Sequence, residues 1–268
     1  MTQDPRLEKL PKGRTCIGVH RAIIEHLLSK RTDAASAAML DIPCGDGELM
    51  TSLRQFFPGA VVRGSDLTKP QTLSNEEFFV ADASQPFKVF PDQQFDFVFS
   101  VSGVMEFDNT RQFFETCREH LRDEGSLIVT NDNVVSIRDR LAYFWLGKVR
   151  PYPLLVTQGQ STWKMIPIHN LMRILEDAGF KVREVRYVSM KPKDWLMLPL
   201  ALLVYPVQFL YLHLARSRMP RAQRQAMYPF GALLYRHYYM VCEKALAASR
   251  QPADVQGAQT ISETGSLI

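Results

Sequence analysis

A chain of 268 residues, 46% apolar and 22% charged, has the composition of a globular protein with one sizeable core, not of a disordered or fibrous chain. Its net charge of +4 comes from 32 basic and 28 acidic residues interspersed over most of the length, so no basic tract marks a nucleic-acid partner. Four cysteines (Cys16, Cys44, Cys117, Cys242) form no Cys-x-x-Cys unit, and the first residues, MTQDPRLEKLPKGR, hold no apolar run. The expectation is a cytoplasmic chain in a reducing compartment, with no signal peptide, no structural zinc and no metal.

A helical pattern comes first, over Val19–Lys30, with Ile23, Ile24, Leu27 and Leu28 on one face. Met39–Ile42 reads as a strand, Glu48–Phe57 as a helix, and Ala60–Arg63 and Glu77–Val80 as strands. Phe95–Val101 is a buried strand. Thr110–Leu121 is a helix with Phe113, Phe114, Cys117 and Leu121 on one side, and Ser126–Thr130 is a strand. Further on, Ile168–Ala178 is an amphipathic helix ended by Gly179. Phe180–Val188 is a strand, and Tyr238–Glu243 a last strand far downstream. Such alternation predicts an α/β fold: a seven-stranded, mostly parallel, doubly wound sheet with an apolar helical insertion before the last strand. The divisions are an N-terminal extension and helix over 1–36, a core over 37–189, the insertion over 190–235, the last strand over 236–246 and a disordered tail over 247–268.

LDIPCGDGELM closes the first strand and opens a helix. Gly45 and Gly47 permit a tight turn that brings backbone N–H groups close to a ligand. Met50 stands where a dinucleotide fingerprint needs its third glycine. Asp41, Asp46 and Glu48 would repel a pyrophosphate and suit a cationic ligand. Asp66, beside Leu67, ends the second strand and can hold two ribose hydroxyls; Asp82 ends the third and can accept an adenine amine beside the small Ala83. A helix-dipole partner, a turn aspartate and a capping aspartate are the plainer alternatives for these acids.

This pattern resembles the class I (Rossmann-like) S-adenosylmethionine-dependent methyltransferases over Met39–Asn131 and, less fully, Ile168–Val188. The resemblance implies that Asp41, Cys44, Gly45, Asp46 and Gly47 hold the amino-acid part of S-adenosyl-L-methionine, Asp66 and Leu67 the ribose, and Asp82 with Ala83 the adenine. It also implies that the stretch from Ser100 to Glu106 lines the cofactor and faces the acceptor. Pro43 replaces the family's usual first glycine, Glu124 a glycine of the later turn, Phe107 a common histidine and Thr162 another. Rival readings are a catalytically silent relative and a nucleotide-dependent oxidoreductase. A nucleic-acid methyltransferase is disfavoured because no Asn-Pro-Pro-Tyr-like motif follows the fourth strand.

Glu106, Asn131, Asp132, Asn133 and His169 are the candidate acceptor-side polar groups; His169 is the one histidine expected near the mouth, with a solvated residue in the first turn of a helix as its favoured alternative. Trp195–Leu214 is an uncharged apolar run with Pro199 and Pro206 expected to kink it. Basic residues flank it: Lys191, Lys193, Arg216, Arg218, Arg221 and Arg224. A second such piece holds Phe144 and Trp145 among Arg138, Arg140, Lys148 and Arg150. A single crossing would separate the last strand from its sheet, so the expectation is peripheral contact with the cytoplasmic face of a membrane. The alternative is a lid or a dimer face; the sequence leaves the oligomeric state open. The implied acceptor is a small molecule, a lipid or a lipid-linked glycan, methylated on oxygen or carbon.

Overall fold

The computed structural model describes residues 4–30, 34–149, 152, 154–155, 163–217 and 219–245. Arg150, Thr162, Arg218 and the expected tail at 247–268 lie outside the described residues. Among those described, seven strands form one sheet in the order β3-β2-β1-β4-β5-β7-β6. They are β1 (Ala38–Asp41), β2 (Val61–Asp66), β3 (Phe78–Val80), β4 (Phe95–Ser100), β5 (Leu121–Asp132), β6 (Phe180–Val188) and β7 (His237–Lys244). β7 runs antiparallel to both its neighbours, and the other pairings are parallel.

All four residues of β1 are buried, which is why it reads as an unbroken apolar run rather than an alternating one. Its side chains point to opposite faces. Ala38 and Leu40 join the core under α3 (Thr110–His120) and α5 (Ile168–Asp177), while Met39 joins the one under α1 (Val19–Ser29) and α2 (Glu48–Phe56). The chain turns one way from β1 to β2 and the other way to β4. The crevice at their carboxyl ends is the switch point where open α/β sheets bind ligands.

β5 begins five residues earlier than the apolar run suggests. LRDEG continues the strand beside Phe95, across a register shift. A Cβ on Gly125 would lie 3.0 Å from the Phe95 carbonyl oxygen, so this close approach is met by Gly125 although Glu124 precedes it.

The insertion opens with a 3₁₀ turn (Pro192–Met197) and continues as α6 (Leu198–Leu214) and α7 (Arg221–Met227). Pro199 does not kink α6: it sits in the first turn, where its missing N–H has no intrahelical partner to lose. Pro206 is inside the helix. Only Ala201 of α6 is buried, while Leu203, Val207 and Tyr211 are 70–71% exposed. The other apolar piece is α4 (Ile137–Leu146), with Phe144 and Trp145 each 75% exposed. Arg140 of α4 donates to Gln208 Oε1 of α6, so the two apolar helices are neighbours. β7 rejoins the sheet between β5 and β6, which holds both ends of the insertion to one core.

Asp194 anchors the insertion's foot. Its carboxylate takes two bonds from Arg236, at 2.5 and 2.6 Å, one from the Lys191 backbone N–H at 2.9 Å, and an ion pair with Arg138 at 3.1 Å. Burial alone would raise its pKa; these partners outweigh burial and hold it below the ordinary carboxylate value.

Candidate functional site

A cleft of about 520 Å³ opens at the carboxyl rim of β1, β2, β4 and β5 and the start of β7. This is within the size range of small-molecule sites. One wall is the glycine loop. Gly45 and Gly47 both adopt left-handed φ, +53° and +79°, which a side chain would resist. Asp66 closes this loop from β2: its Oδ2 accepts the Gly45 N–H at 2.8 Å and its Oδ1 the Leu67 N–H at 2.7 Å. Pro43 packs so tightly on Gly103 that a Cβ there would meet its Cδ at 2.5 Å. The loop after β1 and the loop after β4 are thereby pressed together, with the proline in the family's glycine place.

Asp41 is the distinctive group of this wall. It is 2% exposed, faces the cleft, and its Oδ1 has no hydrogen-bond partner among the described residues. Burial first, and the nearby Asp66 second, push its pKa well above the ordinary carboxylate value. Burial first, then Asp41 and Asp66, push the Cys44 thiol up, which disfavours its thiolate.

The roof is a segment that the sequence reading passed over, Lys12–Ile17. Arg14 forms a two-bond ion pair with Asp46, at 2.8 and 2.9 Å, and Thr15 Oγ1 lies 2.7 Å from Ser102 Oγ. Polar and lacking periodicity, the segment gives no pattern from which its place could be read.

The far wall carries Ser102, Glu106, Asp132 and His237. Ser102 has a left-handed φ of +57°, and its N–H donates to Thr130 Oγ1 at 2.9 Å. His237 Nδ1 lies 3.3 Å from Asp132 Oδ1, and its Nε2 lies 3.5 Å from Ser102 Oγ. Burial would lower the His237 pKa, but Asp132 and Cys16 outweigh it and hold the ring above its ordinary value.

Of the residues singled out from the sequence, the cleft brings together Asp41, Cys44, Gly45, Asp46, Asp66, Glu106 and Asp132. Gly47 shapes the loop without lining the cleft. Leu67 stands exposed on the rim, and Ser100 and Ala83 are buried outside the lining. Asp82 is exposed outside it too, its Oδ1 accepting both the N–H and the hydroxyl of Ser84, the capping alternative. Asn131 is buried away from the cleft and donates to the Ile166 carbonyl at 3.0 Å. Asn133 donates to the carbonyls of Ala232 and Tyr235. His169 is exposed, bonded to the Tyr228 hydroxyl at 3.2 Å, and is not among the lining residues. The expectation that it is the one histidine near the mouth is corrected: His20 and His237 line the cleft. An antiparallel last strand begins at the carboxyl rim of its parallel neighbours, and that was the available signal for His237.

Comparison with known proteins follows this geometry. The chain matches the methyltransferase-domain family over residues 18–185, which is more than half its length. Its fold is similar to the 1,6-didemethyltoxoflavin-N1-methyltransferase of Burkholderia thailandensis, solved with 1,6-didemethyltoxoflavin and S-adenosylhomocysteine. That likeness has a TM-score of 0.51 at 14% identity and covers 84% of this chain and 78% of that one. The magnesium protoporphyrin IX methyltransferase of Synechocystis, also solved with S-adenosylhomocysteine, gives 0.51 at 13% identity, covering 84% and 82%. An S-adenosylmethionine-dependent methyltransferase of Archaeoglobus fulgidus gives 0.50 at 16%, covering 90% and 100%. No curated protein matches the chain in sequence. The family match and the shared seven-stranded architecture agree: this chain belongs to the methyltransferase-domain family.

Proposed function

We propose that the chain transfers the methyl group of S-adenosyl-L-methionine to an oxygen or carbon of a lipid, a lipid-linked glycan or another small molecule, while docked on the cytoplasmic face of a membrane. The observation that carries the donor is Asp41, a buried carboxylate facing the cleft with an oxygen unpartnered. Burial and Asp66 make the charged form of Asp41 costly, and a cation brought beside it offsets that cost. The donor fits: it carries an ammonium and a sulfonium and no phosphate to be repelled by Asp41, Asp46, Glu48 and Asp66. Bound there, it supplies a methyl carbon already activated by its positive sulfur.

The chain's own residues then bind, orient and exclude water. The Gly45–Gly47 turn lets the ligand approach backbone closely. The carboxylate of Asp66 has lone pairs left for ribose hydroxyls after its two backbone bonds. The Lys12–Ile17 roof, pinned at Arg14 and Thr15, shields the reacting centre, and the far wall aligns the acceptor.

Membrane docking is supported by α6 and α4, whose apolar side chains face solvent while Lys191, Lys193, Arg216 and Arg221 stand exposed around them. Each such cation adds about 1 kcal/mol at an anionic lipid surface. Three of the expected flanking cations are otherwise engaged: Arg224 is buried against the Ala215 carbonyl, Arg138 is paired with Asp194, and Arg140 donates to the Val135 carbonyl and to Gln208 Oε1. The 3₁₀ turn and α6 together, Pro192–Leu214, are apolar and long enough to cross a bilayer, but an in-plane position keeps β7 in its sheet.

The test is incubation of purified protein with isotope-labelled methyl donor and a membrane extract, followed by flotation with anionic liposomes. The reading expects label in the lipid fraction and protein floating at low salt. Label in the aqueous fraction, with protein left at the bottom, contradicts the membrane half. Donor binding with no label in any fraction contradicts catalysis.

A further inference from the structure

We propose that Cys16, Asp132 and His237 bind one divalent ion of the zinc class at the acceptor end of the cleft. The proposal rests on the methyl-transfer reading only for what the ion does, not for whether it binds. The three residues come from the roof, the end of β5 and the start of β7, and one ligand atom of each lies within 4.8 Å of the others. All three line the cleft.

The spacing has the geometry of a coordination shell. Two nitrogen or oxygen ligands about 2.0–2.2 Å from a tetrahedral zinc stand about 3.3–3.5 Å apart. Asp132 Oδ1 and His237 Nδ1 are 3.3 Å apart, long for a charge-assisted hydrogen bond and right for two ligands of one ion. The other ring nitrogen, Nε2, lies 3.5 Å from Ser102 Oγ, where a ligating histidine places its outer N–H donor. Ser102 is fixed by Thr130 and bonded to Thr15, the residue before Cys16, so one contact brings the roof and its thiol to the cluster. Cys16 lies in a stretch without helix or strand, one residue past the Thr15 contact.

The donor set chooses the ion. Thiolate, imidazole and carboxylate together favour zinc and its late first-row neighbours over magnesium or calcium, which take oxygen. Arg236 also lines this end, but its charge is met by Asp194. Three protein ligands leave the fourth position open to the cleft, the arrangement of catalytic rather than structural sites. A hydroxyl acceptor bound there gives its proton to solvent. Its oxygen then forms the new bond to the methyl carbon as the carbon–sulfur bond breaks and sulfur keeps the electron pair, leaving a neutral thioether.

The experiment titrates tag-free, reduced, chelator-treated full-length protein with zinc against a chromophoric chelator, and with cobalt as a spectroscopic probe. We expect one equivalent of zinc with a Kd below about 1 μM. The cobalt form should show thiolate-to-metal charge transfer and the intense visible bands of a tetrahedral ion. Cys16→Ser should abolish the charge-transfer band and weaken binding at least about tenfold, and His237→Asn about 100-fold. Circular dichroism checks the fold; should His237→Asn not fold, Cys16→Ser decides alone. No stoichiometric zinc, or zinc unaffected by Cys16→Ser, overturns the site. Calorimetry with S-adenosyl-L-methionine on the metal-free protein, set beside the zinc titration, separates the two readings: donor binding together with a failed zinc titration sinks this site alone, and stoichiometric zinc with no donor binding sinks the cofactor reading alone.

Discussion

The two walls of the cleft are built in opposite ways. The glycine-loop wall comes from consecutive strand ends, with Asp41, Gly45, Gly47 and Asp66 within one β-α-β unit. The far wall joins Ser102 from the loop after β4, Asp132 from the end of β5 and His237 from the start of β7, and meets Cys16 of the roof. The first wall is local and polar, and leaves one buried carboxylate oxygen, Asp41 Oδ1, without a hydrogen-bond partner among the described residues. The second is assembled over long range and braced by the Asp194–Arg236 pair at the insertion's foot.

That contrast can be broken most severely at the brace. Asp194→Ala leaves the Arg236 guanidinium buried without its carboxylate, which costs about 3–5 kcal/mol. The melting temperature should fall by several degrees, while donor affinity in the folded fraction stays within about twofold. A large loss of donor affinity in folded protein would join the two walls energetically and end the comparison.

The converse change acts on the loop wall. Asp41→Asn removes a charge-assisted partner worth about 1.5–3 kcal/mol, a loss of about 10–100-fold in donor affinity by calorimetry. Stability should move the other way. The pKa of Asp41 in the folded chain lies above its unfolded value, so its contribution is full below the unfolded pKa and is lost as pH rises through the folded one. Ligand-free Asp41→Asn should therefore melt higher than the parent at pH 8, with the difference shrinking in acid.

Smaller effects belong to the surface. Phe144→Glu, at a side chain 75% exposed, should weaken anionic-vesicle binding about tenfold and change stability by less than about 0.5 kcal/mol. Arg14→Ala breaks an ion pair whose partners are 77% and 54% exposed, so stability should change by less than about 1 kcal/mol.

The same contrast decides what the sequence made legible. β1 and β4 announce themselves because both faces are covered and the runs are apolar; the glycine loop lies at the end of β1. The last strand was legible as Tyr238–Glu243, but its direction was not read, and His237 at its rim end was missed. Cysteine spacing excludes a local metal unit and says nothing about Cys16, Asp132 and His237, which only folding brings together. The LRDEG stretch looks like a turn by its charges, yet it pairs with β4 because sheet hydrogen bonds outweigh local preference. Pro199 looks like a kink until the helix is seen to start beside it.

The most direct test of the central claim is titration calorimetry with S-adenosyl-L-methionine in two buffers of different ionisation enthalpy. A cation that pairs with Asp41 must draw its raised pKa down, so the account predicts one donor bound per chain, a proton released to the buffer, and both weakened in Asp41→Asn. No binding, or binding that releases no proton and is indifferent to Asp41→Asn, would contradict it.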